Sequence, residues 1–83
     1  RVGFLKKGDL IGYSNLDGNT EWGFVTSHEP FIYRPGEYDE EYMAVTVCWP
    51  GDSRHPGSET NERVATILSD DKADSGIWLQ SSL

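Results

Sequence analysis

Short runs of alternating apolar and polar residues recur along the chain and predict an all-β domain. The clearest run covers 42–49, where Met43, Val45, Val47 and Trp49 alternate with smaller or more polar residues. Further strands are predicted within 8–13, 21–27, 63–69 and 77–79. Glycine, proline, asparagine and aspartate punctuate the intervals, as is typical of turns between strands.

The segment 63–69 admits two interpretations. Val64, Ile67 and Leu68 share a spacing that fits one face of a helix. Three of its residues are β-branched, however, and such side chains lose rotamer freedom in a helix. We therefore predict a strand there, with a helix as the alternative.

Two long connections are predicted, at 28–40 and 50–60, and Asp17-Gly18 predicts a tight turn. With 83 residues the chain has room for a single domain, 1–83. Its small core must come from the apolar side of the strands. The predicted core residues are Ile11, Val25, Val45, Val47 and Trp49, with Ile77 and Leu79 closing the sheet.

The charge balance narrows the classes of partner. The formal net charge is -7, whereas a general nucleic-acid binder needs a basic surface to neutralise phosphates. An anionic membrane is disfavoured for the same reason, and no apolar run approaches the roughly 20 residues of a spanning helix. A basic protein partner suits this charge. A single cysteine, Cys48, permits no intrachain disulfide, so we expect a cytoplasmic (host cell) or virion-associated protein.

The order of the motifs resembles a known family. The segments in question are Lys7-Gly8-Asp9-Leu10-Ile11, Gly23-Phe24-Val25, Val45-Thr46-Val47-Cys48-Trp49 and Gly76-Ile77-Trp78-Leu79. Together they resemble small SH3-like barrels of the Tudor and KOW type, especially uncharacterised barrel proteins of bacteriophages and other mobile elements. The resemblance implies a five-strand SH3-like barrel carrying the two long loops. The Tudor aromatic cage cannot be placed on this sequence, so that activity is not carried over.

Catalytic and metal sites find little support in the sequence. Cys48 lies within a predicted strand without the basic neighbours that activate a thiol, and His28 and His55 lie in or beside loops. Asn15, Asp17, Asn19 and Glu21 alternate as oxygen ligands can, but they lack the glycine and glutamate positions of a calcium loop. A polar hairpin turn explains them more simply than a metal site does. We predict no catalytic residue, no metal and no cofactor.

Aromatic residues provide the best indication of binding. Trp22 and Phe24 are predicted to point away from the core together, and Tyr42 lies opposite the Val45 side of its strand. The predicted binding residues are Trp22, Phe24, Tyr33, Tyr38 and Tyr42. An acidic surface for a basic partner is predicted at Glu37, Asp39, Glu40 and Glu41. The alternative is that the loop aromatics pack over one another.

The sequence therefore favours a non-enzymatic, phage- or mobile-element-encoded protein that binds another protein through its aromatic and acidic loop and the adjoining sheet face. Two alternatives stay open. One is a small structural subunit that forms a homo-oligomer, with any active site at its symmetry axis. The other is an acidic mimic of nucleic acid that inhibits a DNA-binding protein.

Overall fold

The computed structural model describes residues 5–34, 36, 41–69 and 76–81, and it confirms the all-β prediction. The elements of these residues are β1 Leu10–Ser14, β2 Thr20–Val25, β3 Phe31–Tyr33, β4 Tyr42–Trp49, β5 Ser58–Arg63, α1 Val64–Ile67 and β6 Ile77–Ser81. No helix among them is long and apolar enough to cross a lipid bilayer.

The strands form one antiparallel sheet with five strand positions. Along the sheet, β6 pairs with β1, β1 with β2, and β2 with β4. Strand β5 takes one edge of β4, while β2 and β3 share the other edge in succession. The sheet curls into a half-barrel with a helical turn following β5, which agrees with the predicted small five-strand barrel.

The residues Lys6-Lys7-Gly8-Asp9 form the turn before β1, and two of them have side chains, or lack one, in a way that this turn requires. Gly8 adopts φ 95°, a left-handed conformation that glycine tolerates best. The fully buried Asp9 carboxylate accepts a hydrogen bond from the Lys6 backbone N–H at 2.9 Å. Backbone bonds from Gly8 to Val25 and from Val25 to Asp9 then fix this turn against the end of β2.

The core lies on the concave side of the sheet and contains the residues that the strand alternation predicts. Leu79 is half-buried at its margin. Leu5 and Ile67 are also fully buried there, although the sequence pattern did not place them in the core. Gly23 leaves room for the core residue Trp49, because a Cβ on Gly23 would lie 2.6 Å from the Trp49 ring.

Both long connections are shorter than predicted. The segment 28–40 contains β3, and the segment 50–60 ends where β5 begins at Ser58. Pro30 directly precedes β3 rather than interrupting it, so the strand keeps its donors to β4. Strand β5 was not predicted because its sequence, SETNER, has no apolar residue and therefore no apolar alternation with a period of two.

The strand predicted at 63–69 is wrong beyond its first residue. Val64–Ile67 is a single helical turn, and the Leu68 N–H donates to the Val64 carbonyl at 3.0 Å. Ile67 is fully buried in the core, and Val64 and Leu68 pack against the same cluster. This tertiary packing outweighs the weak helix propensity of β-branched residues.

Candidate functional site

Two of the predicted binding residues are exposed side by side on β2. Trp22 and Phe24 retain 41% and 40% of their surface on the convex side of the sheet. Leu10 on β1 is the register partner of Phe24 and is also exposed. Strand β2 is hydrogen-bonded on both edges, so these side chains project from a backbone that is held in place.

Trp78 extends this apolar surface across β1. Gly12 is the register partner of both Trp22 and Trp78. A Cβ on Gly12 would lie 2.6 Å from the Trp78 indole, so the ring rests directly on the glycine backbone. The Trp78 Nε1–H donates to Gln80 Oε1 at 3.1 Å. We call the surface formed by Leu10, Trp22, Phe24 and Trp78 the outer aromatic face.

Tyr33 and Tyr42 belong to a different cluster. Their rings meet edge to face with centroids 5.7 Å apart, and the Arg63 guanidinium lies 4.3 Å from the Tyr42 centroid. Phe24 pairs with Cys48, which is six residues from Tyr42 along β4. At about 3.3 Å per residue that is about 20 Å. The predicted aromatic residues that the structure describes therefore form two surfaces, and Tyr33 and Tyr42 partly cover each other.

The predicted acidic surface is described only at its end. Glu41 is exposed and accepts a hydrogen bond from Arg34 at 2.6 Å in an exposed ion pair. Such pairs contribute little to stability. Tyr38, Glu37, Asp39 and Glu40 lie outside the described residues.

A second candidate site lies on the concave side, beyond the end of the core. It is an open groove of about 340 Å³ between the β1–β2 turn and the β4–β5 loop. We call it the concave groove; its lining residues are Tyr13, Glu21, Trp49, Asp52, Ser58, Thr60 and Glu62. The Tyr13 and Trp49 rings meet edge to face at 5.9 Å and separate the groove from the core.

Hydrogen bonds fix the acidic groups of the concave groove. Glu21 Oε2 accepts from Asn15 Nδ2 at 3.1 Å and from the Ser53 hydroxyl at 3.2 Å, so it joins the two loops that flank the groove. The Trp49 indole N–H donates to Thr60 Oγ1 at 2.8 Å, and Thr60 donates to Glu62 Oε2 at 2.6 Å.

Asp52 forms the turn of the β4–β5 loop. Its Oδ1 accepts the backbone N–H groups of Arg54 at 2.8 Å and His55 at 3.0 Å. The bond from His55, then that from Arg54, holds the pKa of Asp52 below its ordinary value of 3.8, against the opposing effect of desolvation. Asp52 therefore stays ionised under ordinary conditions.

The remaining chemical candidates are separate. Cys48 is half-buried with its Sγ 3.7 Å from the Gly57 carbonyl, while His28 and His55 are exposed. In the β1–β2 turn, Asn15 Oδ1 accepts the N–H groups of Asp17 and Asn19, as a polar turn requires. Across the described ranges, no three His, Cys, Asp or Glu residues come together as a metal site.

The concave groove was not predictable from the local sequence pattern. Alternation along β1 puts Tyr13 on the same side as Ile11, but the carboxylates near it come from three other segments. Strand β5, which supplies Thr60 and Glu62, carries no hydrophobic pattern. Thr60 and Glu62 are two residues apart, so in a strand they point to the same side. That spacing indicates a shared site only once β5 is known to pair with β4.

Comparison of the chain with protein-family models, curated proteins and solved structures finds no match. The resemblance to the SH3-like family therefore stays a prediction from the motifs.

Proposed function

We propose that this protein is a non-enzymatic protein-binding module and that its outer aromatic face makes the central contact. The observation that carries the proposal is the joint exposure of Trp22 and Phe24 on β2, next to Leu10. Large aromatic side chains are enriched at the energetic centres of protein interfaces, where they lose water on binding.

The rigidity of the face supports the same proposal. Trp22 and Phe24 are anchored on a strand that is paired on both sides, and Trp78 is seated on Gly12. A surface that is ordered before binding loses less conformational entropy when it meets a partner. The net charge of -7 favours a partner with a basic rim around an apolar centre.

A capture experiment with matched variants tests the proposal. The immobilised wild type is incubated with a native lysate of the source cells, beside a Trp22→Ser/Phe24→Ser variant. The control is Ile32→Ser/Met43→Ser, which removes a register pair that is 60% and 44% exposed away from the outer aromatic face. Quantitative mass spectrometry then compares the captured proteins.

We expect at least one protein to be captured by the wild type and by the control but lost from the Trp22→Ser/Phe24→Ser variant. Since both residues are about two-fifths exposed, the variant should retain its fold, which circular dichroism checks. Equal capture by all three proteins would show that the outer aromatic face is not the binding surface.

A further inference from the structure

We propose that the concave groove binds the side chain of an arginine presented by a protein segment. The groove lies on the opposite side of the sheet from the outer aromatic face, so this second site is independent of the function proposed above. Its volume of about 340 Å³ is at the lower end of the range of ligand pockets, which suits one side chain rather than a folded element.

The charge of the lining is one-sided. Glu21, Asp52 and Glu62 line the concave groove, and none of the described residues that line it is Lys, Arg or His. An adjoining depression of about 170 Å³ adds Asp17 together with Arg54 and His55. A cation would therefore meet carboxylates inside the groove and a mixed-charge rim on one side.

The carboxylates are held in place with acceptor capacity to spare. Thr60 accepts from Trp49, so its one hydroxyl proton goes to Glu62 and fixes that side chain beside the groove. Hydrogen bonds from described residues reach only one oxygen each of Glu21, Asp52 and Glu62. The second oxygen of each carboxylate is left to accept from a ligand.

The aromatic residue selects a planar cation. Tyr13 is 38% exposed, and its ring is held against Trp49. Glu21 is its direct register partner on β2, and such pairs have Cβ atoms about 4.5–5.5 Å apart. A guanidinium can stack on the Tyr13 ring while its N–H groups reach Glu21, whereas a lysine ammonium is a compact point charge without a planar face.

Titrations followed by ¹⁵N–¹H NMR of the full chain test this inference. The probes are acetyl-Gly-Arg-Gly-amide, its lysine counterpart and its citrulline counterpart, which keeps the shape of arginine without its charge. We expect the arginine peptide to shift the resonances of Tyr13, Thr60 and the Trp49 indole. Loss of the charge-assisted hydrogen bonds should make the citrulline peptide bind about tenfold more weakly.

A pair of variants on β5 distinguishes binding in the concave groove from a general attraction between the acidic protein and a cationic peptide. Glu62→Gln removes a charge inside the groove, while Glu59→Gln removes the same charge on the convex side of the same strand. We expect Glu62→Gln to weaken arginine-peptide binding about fivefold, since one of three carboxylates is neutralised, and Glu59→Gln to leave it within twofold. Equal weakening by both variants would overturn the site.

Three other results would also overturn the proposed arginine site. Two are the absence of any shift with the arginine peptide and equal binding of the citrulline peptide. The third is displacement of the peptide by calcium at low concentration, which would indicate a metal site. The Trp22→Ser/Phe24→Ser variant should still bind the peptide. If that variant loses capture of its protein partner but keeps peptide binding, the two proposals have been tested separately.

Discussion

At the scale of single residues, Gly23 determines how Trp49 packs. A Cβ at this position would lie 2.5 Å from the Cys48 carbonyl and 2.6 Å from the Trp49 ring. Both neighbours would have to move, and the indole also bonds to Thr60. We expect Gly23→Ala to lower the free energy of unfolding by about 1–3 kcal/mol, as overpacking does. Urea denaturation measures it, and an unchanged midpoint would contradict this packing.

Asp52 gives the molecule a defined pH dependence. Its pKa is lowered in the folded chain by the backbone bonds from His55 and Arg54. A lowered pKa contributes stability above the unfolded value, and that contribution is lost as pH falls through the folded value. We expect Asp52→Ala to destabilise the protein at pH 6 and the difference from wild type to shrink below pH 3.8. A difference that is constant with pH would refute the assignment.

Single residues also show how much of the burial pattern can be predicted from the sequence. Alternation along β4 correctly predicted that Val45, Val47 and Trp49 are buried, because period two is a backbone property. It also placed Met43 on the core side, yet Met43 is 44% exposed because the core ends before it. The point at which other elements no longer cover the curled sheet depends on the tertiary structure. The local pattern of apolar residues does not predict it.

At the scale of elements, the helical turn α1 depends on its packing. One turn is too short to be stable alone, and Ile67 supplies its fully buried contact with the core. We expect Ile67→Ala to cost about 2–5 kcal/mol, whereas Ala65→Ser, at an exposed position of the same turn, should cost under about 1 kcal/mol. Equal urea midpoints for the two variants would disprove this role of Ile67.

The elements that the sequence failed to predict share a cause. Strand β3 has three residues bordered by Pro30, and β5 is wholly polar, so neither shows a hydrophobic period. Both are specified by pairing with β4, whose own pattern was unambiguous. Trp22 and Phe24 could be predicted as exposed because β2 alternates clearly, but the distance separating them from Tyr33 and Tyr42 depended on the register of β4.

At the scale of the whole molecule, the outer aromatic face must remain available to a partner. The net charge of -7 opposes self-association at low salt. We expect sedimentation velocity to show a monomer at about 0.1 mM in low salt. A dimer that the Trp22→Ser/Phe24→Ser variant disperses would show instead that the face is a self-association surface.

The most direct test of the proposed function is the affinity of the purified, captured partner for the wild type and for Trp22→Ser/Phe24→Ser, measured by calorimetry at two salt concentrations. Two central aromatic contacts that each contribute about 2 kcal/mol or more predict roughly 1,000-fold weaker binding by the variant. Charges at the rim add a moderate salt dependence, but the apolar centre should retain most of the wild-type affinity at the higher salt concentration. Binding within threefold of wild type, with a steep loss of affinity in salt, would contradict the account.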